Sequence, residues 1–318
     1  MLSLAASLIS GLPRGYPSTP VRGVSASVDM PMVGLGTWLY NASVARAAVA
    51  SALTMSYRHV DTALGYNNQV GVGQALASSG LLREEYFVTS KIPGGLNESA
   101  TTAALELSLA QLQLKQVDLM LIHWPGKDKA TRQAQWLALE AWARQGKARA
   151  VGVSHYCKYH LQEVLEVATL PVALNQNQFH VGMGHDTEPR LHDKAFMQAH
   201  DVLYMAYSSL CGPCPAPDNR ELITGHLVTS IGAAHNKTGS QIALRWIVQQ
   251  GIPVIPKSSN PEHQRSNFEL FDFALTEEEM AQLSAATTPA ETGTPAQPDD
   301  AQDCAAEERP MMDESASK

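Results

Sequence analysis

The sequence has few cysteines and no regular cysteine spacing. Cys157, Cys211, Cys214 and Cys304 are too few and too unevenly placed for a disulfide-stapled secreted protein of 318 residues. We therefore expect reduced thiols and a cytoplasmic location, although the acid-free, serine-containing segment 1–28 leaves an organelle transit segment open. Cys211 and Cys214 form a Cys-x-x-Cys, but the sequence offers no two further ligands at a matching spacing. We predict no metal site.

Runs of one charge sign and long apolar stretches are also missing from most of the chain. The net charge is −8, of which residues 289–318 carry −6, so the other 288 residues sum to only −2. Nucleic-acid binding needs clustered Lys and Arg, so we expect no nucleic-acid partner. A membrane-spanning helix needs about 18 or more consecutive apolar residues, and none occurs. The sequence shows no exposed stripe of apolar residues that would suit self-association, so we expect a monomer.

Short apolar runs alternate with longer helical patterns between about residues 33 and 257, which is typical of a parallel sheet with helical crossovers. The eight runs are 33–37, 58–61, 87–91, 117–123, 148–154, 172–176, 202–208 and 254–257. Eight strand-helix units predict an α/β fold, the (β/α)8 TIM barrel. The competing open, doubly wound sheet would need a glycine-rich dinucleotide loop. The nearest candidate, Gly71-Val72-Gly73, lies in a helical pattern and lacks the third glycine.

The sequence divides into three segments: an N-terminal extension over 1–20, the barrel over 21–288 and an acidic tail over 289–318. At the start of the barrel segment, VRGVSASV and DMPMV predict a β-hairpin that plugs the base of the barrel. Near its end, Thr276 begins a capping box that predicts an extra C-terminal helix reaching about Ala285. The tail lacks core-forming residues, so we predict disorder there.

Polar side chains stand at the ends of seven of the predicted strands. They are Asp61, Lys91, His123, Ser154, Gln176, Tyr207 and Lys257. In this fold the carboxyl ends of the strands converge on one mouth, which carries the active site. Each residue alone also has a structural explanation, such as a turn cap, a helix cap, a satisfied carbonyl or a solvated lysine. Together they favour a functional site.

These residue types suit the reduction of a carbonyl group. Hydride addition to C=O creates an oxyanion that needs a proton donor and nearby positive charge. Tyr66 reaches the same mouth, and because a free phenol has a pKa near 10, a cation beside it is needed to lower that value. We expect Lys91 to be that cation, Asp61 its counter-ion, and His123 the donor that orients the substrate oxygen.

The sequence resembles the aldo-keto reductase family. The matching segments, in family order, are YRHVDTALGYNNQVGVGQAL, VTSKI, LIHWPG, GKARAVGVS, LNQ, AYSSL, IPVIPKS and FDFALTEEEM, spanning about residues 31–286. The resemblance implies catalytic roles for Asp61, Tyr66, Lys91 and His123. It also implies NADPH binding by Ser154, Gln176, Tyr207, Ser208, Lys257, Ser258 and Asn267.

The sequence departs from the family pattern at two residues that are expected to bind the cofactor. His155 stands where the family has Asn, and its N–H could replace the amide donor to the nicotinamide carboxamide. His263 falls where an arginine clamps the 2′-phosphate, and histidine lacks that charge and fork at pH 7. We expect Asn260 to cap a helix whose free N–H groups receive phosphate, and Arg265 could swing in. The expected cofactor is NADPH with a weakened preference, so that NADH is tolerated.

For the substrate, Trp38 and Trp124 follow the first and fourth strands, where aromatic walls would hold an apolar carbonyl compound beside His123. No aromatic residue follows Phe273, so the C-terminal lid that sets specificity in this family is expected to be polar, giving a broad aldehyde or ketone reductase. Two alternatives stay open: a Schiff-base lyase that uses Lys91, and a cofactor-binding regulatory subunit with little turnover.

Overall fold

The structure is a computed structural model that describes residues 12–183, 194–211 and 218–288. Seven parallel strands pair in chain order into one curled sheet. They are β3 (Leu35–Gly36), β4 (His59–Asp61), β5 (Phe87–Ile92), β6 (Val117–Ile122), β7 (Ala148–Ser154), β8 (Val172–Gln178) and β9 (Leu203–Tyr207). These segments match the first seven predicted runs, and the order confirms the expected barrel topology.

The eighth predicted strand, 254–257, closes the barrel by isolated bridges. Val254 bridges Val33 on one side and Ala206 on the other. Its N–H donates to Met32 O at 2.9 Å, and Gly34 N donates to Val254 O at 2.8 Å. Pro253 and Pro256 flank Val254 and Ile255 and have no N–H to donate, so this segment cannot form a continuous hydrogen-bond ladder with its neighbours.

A two-stranded antiparallel hairpin precedes the barrel, as predicted. Its strands are β1 (Ser18–Val21) and β2 (Val28–Pro31), so it begins within the segment assigned to the N-terminal extension. The hairpin was expected within VRGVSASV and DMPMV, but its first strand begins earlier, at Ser18, and residues 22–27 form the connecting loop. Val21, Val28 and Met30 share one buried cluster with Leu119 and other barrel-interior residues, so the hairpin plugs the barrel.

Helices cover the outside of the sheet. They are α1 (Ala42–Thr54), α2 (Gln69–Ala77), α3 (Glu98–Leu112), α4 (Lys129–Trp142), α5 (Lys158–Leu165), α6 (Lys194–Ala199), α7 (His226–His235), α8 (Gly239–Val248), α9 (Pro261–Phe268) and α10 (Glu277–Ser284). The helix α10 begins with the predicted capping box, in which Thr276 Oγ1 accepts from Glu279 N at 3.2 Å and Glu279 Oε2 accepts from Thr276 N at 2.7 Å. The Gly71–Gly73 segment is helical, as expected.

The cysteines differ from the expectation. Cys157 and Cys211 are both disulfide-bonded and buried, whereas the sequence predicted reduced thiols. Of the Cys-x-x-Cys motif, Cys211 is described and Cys214 lies outside the described residues. Cys304 and the acidic tail, 289–318, also lie outside them. In the described part of the chain, no helix has the length and apolarity that a membrane crossing requires. The same residues contain no His, Cys, Asp or Glu cluster suited to a metal ion.

Candidate active site

A pocket opens at the carboxyl ends of the barrel strands, where the predicted site residues meet. It has a volume of about 200 Å³. The predicted residues that line it are Trp38, Asp61, Tyr66, His123, Trp124, His155, Gln176, Tyr207, Ser208 and Lys257. Lys91 and Ser154 lie directly behind the lining and are buried. Ser258, His263 and Asn267 lie beyond it, on and before α9.

A buried ion pair forms the floor of the pocket. Lys91 on β5 and Asp61 at the end of β4 are both fully buried, and Lys91 Nζ donates to Asp61 Oδ1. Lys91 Nζ also donates to the carbonyl of Thr62 at 3.2 Å. The second oxygen, Asp61 Oδ2, accepts from Gln176 Nε2 at 2.8 Å. Asp61 therefore ties β4 to β5 and to β8 across the barrel.

Tyr66 is held over this pair by a short, well-fixed loop. A 3₁₀ turn over Leu64–Tyr66 follows β4, and Asn67 ends it in the left-handed conformation at φ 56°. The buried Asn68 side chain then donates to the carbonyls of Thr37 and Tyr40, at 2.8 and 3.0 Å. Since these contacts anchor the loop to the segment that follows β3, the phenol position is set by the barrel.

Two polar atoms stand near the phenol oxygen. Tyr66 OH lies 3.5 Å from Lys91 Nζ and 3.5 Å from His123 Nε2. Both distances are at the outer limit of hydrogen bonding. Tyr66 follows β4, Lys91 lies on β5 and His123 directly follows β6, so the converging strand ends assemble an acid, a cation and an imidazole around one point.

The pKa of Tyr66 corrects one expectation. Burial raises the pKa of this phenol well above its ordinary value, and the charges of Asp61 and Tyr207 raise it further. The sequence predicted that Lys91 would lower this pKa. Lys91 is in contact with Asp61, so the two opposite charges largely cancel at the phenol, and desolvation dominates. Burial likewise lowers the pKa of Lys91, although Asp61 opposes that shift.

His123 is neutral in this site. Burial lowers its pKa well below the ordinary value, and the positive charge of Lys91 lowers it further. Its Nδ1 is buried without a hydrogen-bond partner. A proton on Nε2 leaves Nδ1 as a bare acceptor, whereas a proton on Nδ1 would bury an unpaired N–H, which is rarer in proteins. Nε2 is therefore the atom that can donate into the pocket.

The ends of β7 and β8 form the wall opposite Tyr66. His155 follows β7 in the left-handed conformation, at φ 61°, and its ring lies 4.8 Å from that of Tyr207. Its Nδ1 lies 2.7 Å from the carbonyl oxygen of His123. Ser154 Oγ donates to the carbonyl of Gln176 at 2.7 Å. Burial lowers the pKa of His155 to about 4, so this imidazole is neutral too.

The segment from Lys257 to α9 forms the outer end of the site. Lys257 Nζ lies 4.9 Å from the centre of the Tyr40 ring. Asn260 caps α9, as predicted, and its Oδ1 accepts from Glu262 N at 2.8 Å and His263 N at 3.4 Å. The cap therefore uses the N–H groups that the sequence left free for phosphate. The cationic groups left at this end are Lys257 and the exposed Arg265.

Comparison with known proteins identifies the family. The Aldo/keto reductase family model matches residues 32–287. Glyoxal reductase of Bacillus subtilis is 38% identical over 263 residues, covering 81% of this chain and 89% of its own length. The chain belongs to the aldo/keto reductase family. The 9,11-endoperoxide prostaglandin H2 reductase of Trypanosoma cruzi is also 38% identical, over 81% of this chain and 88% of its own.

The solved structures agree with this assignment. An aldo-keto reductase from a deep-sea metagenome library, MGS-M4, superposes with a TM-score of 0.76 at 34% identity, covering 84% of this chain and 95% of that one. The (β/α)8 barrel fold of this aldo/keto reductase is therefore established. Members of the family are oxidoreductases that generally use a nicotinamide cofactor, and the relatives named here are reductases.

Three structural explanations of single residues do not hold in this aldo/keto reductase, although Lys91 and Asp61 do form a buried ion pair. Lys91 is not solvated, and Asp61 contacts two side chains instead of capping a turn. The helix α5 is capped at Cys157, so Ser154 is not its cap. These polar groups sit on strand ends without the structural tasks that we weighed for them.

Some pocket residues of this aldo/keto reductase were not predicted from the sequence. Leu39 and Leu210 add apolar surface at the mouth, and Leu39 is 69% exposed in the left-handed conformation at φ 63°. Asn68 was not singled out, although it positions the Tyr66 loop. An asparagine three residues before a helical glycine carries no pattern by itself, so no sequence signal pointed to it.

Proposed function

We propose that this family member reduces aldehydes and ketones to alcohols with NADPH. The observation that carries the proposal is the convergence of Tyr66 OH, Lys91 Nζ and His123 Nε2 at one point of a pocket with apolar walls. This arrangement supplies a proton donor, a cation and a hydrogen-bond donor to one substrate oxygen. The relatives named as reductases support the same chemistry.

The residues present fit a nicotinamide cofactor. Ser154, His155 and Gln176 offer polar atoms to a carboxamide, and the Tyr207 ring offers a flat surface to a planar ring. At the outer end, Lys257 and Ser258 suit a 2′-phosphate, with His263, Arg265 and Asn267 nearby on α9. The bound cofactor supplies a hydride to the substrate carbon.

The proton step belongs to Tyr66. Its raised pKa keeps the phenol protonated at neutral pH, so Tyr66 carries the proton that it donates. The substrate oxygen becomes an alkoxide as hydride arrives, and an alkoxide is more basic than a phenolate, so transfer is downhill. Lys91 Nζ, 3.5 Å from the phenol oxygen, is placed to donate a hydrogen bond to the new phenolate, while His123 Nε2–H holds the substrate oxygen in line.

The pocket mouth favours a broad substrate range. Trp38, Trp124, Leu39 and Leu210 surround the entrance with apolar surface. The charged residues of the same lining are Asp61, which is paired with Lys91, and Lys257, which we assign to the cofactor. We propose small aldehydes and ketones, including dicarbonyl compounds of the kind in the name of the Bacillus subtilis relative. We further propose that the protein acts as a monomer, whereas the disulfide-bonded Cys157 and Cys211 do not support the cytoplasmic location expected from reduced thiols.

The Schiff-base alternative is less favoured. A lysine that attacks carbonyls must lose its proton. Asp61 is in contact with Lys91 and favours the ammonium form.

A substrate panel tests the proposal. Methylglyoxal, a nitrobenzaldehyde and a linear alkanal are each assayed with NADPH and with NADH, using wild type and Tyr66→Phe. We expect NADPH-dependent turnover in wild type and a loss of 10²-fold or more in kcat for Tyr66→Phe. Cofactor affinity should be unchanged in the variant, since the phenol is directed at the substrate oxygen. Retained turnover in Tyr66→Phe would contradict the proton-donor assignment, and wild type that binds NADPH without turnover would support the regulatory alternative.

A further inference from the structure

Two short segments that follow strands β5 and β6 lie against each other beside the pocket. They are residues 93–95 and 124–126. His123 N donates to the carbonyl of Ile92 at 2.9 Å, so the chain is still joined across the two strands directly before these segments. A Cβ atom on Gly94 would lie 1.8 Å from the carbonyl oxygen of Trp124 and 2.9 Å from its Cδ1. The position of Trp124, which lines the pocket, therefore depends on how the first segment is held.

One buried side chain of α4 holds the segment 93–95. Gln135 is 0% exposed, its Nε2 donates to the carbonyl of Pro93 at 2.7 Å, and its Oε1 accepts from Gly95 N at 2.8 Å. A backbone carbonyl can only accept and a backbone N–H can only donate, so the two partners also fix which way the amide points. Gly95 has φ 77°, in the left-handed region, and the amide of Gln135 holds the chain on both sides of Gly94.

One turn earlier on α4, Arg132 holds the segment 124–126. Its Nη1 donates to the carbonyl of Gly126, and its Nε donates to Glu163 Oε2 on α5 at 2.7 Å. The guanidinium is buried, so this pair is charge-assisted and less screened by water than a surface pair. Residues three apart share one face of a helix, so Arg132 and Gln135 act on neighbouring segments from one side. We refer to these two residues as the α4 clamp.

The α4 clamp can reach the reaction only through the segments that it holds. Among the described residues that line the pocket, neither Arg132 nor Gln135 is found. Trp124 is found there, and its indole lies 4.8 Å from the ring of His123. A large aromatic substrate has more surface to place against this wall than a small one, so a displaced wall weakens the binding of the large substrate more.

We propose that the α4 clamp positions Trp124 and thereby sets the preference of the pocket for aromatic over small carbonyl compounds. Arg132 and Gln135 are positioning residues in this proposal, which rests on the proposed function. Misplacing a contact group by about 1 Å can cost as much as 10²-fold in rate, so a small shift of the wall is enough to change substrate choice. A small dicarbonyl compound depends chiefly on Tyr66 and His123, which the α4 clamp does not contact.

The test compares a nitrobenzaldehyde with methylglyoxal in wild type, Gln135→Leu and Arg132→Met, with NADPH throughout. Gln135→Leu keeps a side chain of similar size and removes both hydrogen bonds to the segment 93–95. We expect KM for the nitrobenzaldehyde to rise about tenfold in each variant with kcat nearly unchanged, because an interaction with the bound substrate is lost. For methylglyoxal both constants should stay within about threefold of wild type.

Gln145→Leu is the matched control. Gln145 is exposed in the turn that follows α4, and its Nε2 donates to the carbonyl of Ala141 at 3.3 Å. The same substitution there should leave both substrates unchanged. Arg132→Lys keeps a charged donor for Gly126 and Glu163, so it should restore most of the preference that Arg132→Met loses. If Gln135→Leu does not fold, Gln135→Asn replaces it, because the shorter amide cannot reach both backbone partners.

Acrylamide quenching of tryptophan fluorescence follows Trp124 without turnover. Each protein is measured with and without Trp124→Phe, so that the difference is the signal of Trp124. We expect this signal to be quenched about twofold more strongly in Gln135→Leu than in wild type, because a less firmly held segment opens more often. Gln145→Leu should match wild type.

The outcomes separate this inference from the proposed function. A merely structural role would lower turnover of both substrates alike, through loss of folded protein, and would overturn the proposal. Unchanged nitrobenzaldehyde kinetics or unchanged Trp124 quenching in folded Gln135→Leu would overturn it too, while the reductase function stands. If wild type reduces neither compound, the proposed function fails and the substrate preference fails with it, but the quenching measurement still decides whether the α4 clamp positions Trp124.

Discussion

Removing the charge of Lys91 should strongly destabilise the protein. The Lys91 side chain is 0% exposed and that of Asp61 is 1% exposed, so Lys91→Met leaves a carboxylate in the barrel with only the Gln176 amide as a partner. Breaking a fully buried ion pair in this way costs about 3–5 kcal/mol. The free energy of unfolding of a typical domain is about 5–15 kcal/mol, so this loss would be a large part of the total.

A double variant tests whether the unpaired charge of Asp61 causes the loss of stability. Asp61→Asn in the Lys91→Met background removes the isolated charge and keeps an oxygen for Gln176 Nε2. We expect the double variant to be about 2 kcal/mol more stable than Lys91→Met alone, because the buried charge causes most of the cost. The free energy of unfolding is measured by urea denaturation, followed by far-ultraviolet circular dichroism and tryptophan fluorescence. A loss below about 1 kcal/mol in Lys91→Met, or a double variant less stable than the single, would refute the reasoning.

Two further predictions concern pH and the cofactor. Burial lowers the pKa of His180 from 6.5 to about 4, so below pH 6.5 the unfolded chain binds a proton that the folded protein refuses, and stability falls as the pH drops towards 4. This residue alone should cost about 2 kcal/mol between pH 7 and pH 5, so denaturation curves of His180→Gln should show a shallower pH dependence, and an unchanged slope would contradict the assignment. At the outer end of the cofactor site, His263→Arg should tighten NADPH binding about tenfold in a fluorescence titration, because arginine adds a charged donor for the 2′-phosphate. NADH, which has no 2′-phosphate, is the control, and equal NADPH affinity in both proteins would defeat the idea.

The strand ends could be predicted because their pattern is local. A buried apolar run that ends in Asp61, Lys91 or His123 is visible in the sequence, and the barrel topology then requires these side chains to converge. The seven strands and the capped helix α10 were predictable for the same reason. The closing strand was less regular than expected, because two prolines interrupt its ladder.

What the sequence could not give was the balance between groups brought together by the fold. The pKa of Tyr66 depends on how far Asp61 cancels Lys91, and that requires the contact between them. The contact between His155 Nδ1 and the carbonyl oxygen of His123 joins residues 32 positions apart, so no local pattern shows it. The cap at Asn260 was predicted correctly, but its use of the first N–H groups of α9 was not.

The two oxygens of Asp61 also bear on how this barrel can change. One holds the ammonium beneath Tyr66, the proposed proton donor, and the other fixes the Gln176 amide at the pocket wall. A substitution of Asp61 would disturb Lys91 and Gln176 together, so the proposed proton-donor and cofactor sides of the pocket cannot be altered separately at this residue. Substrate choice can instead be altered at the pocket entrance, because Trp38, Leu39 and Trp124 can be substituted without changing the Lys91–Asp61 pair.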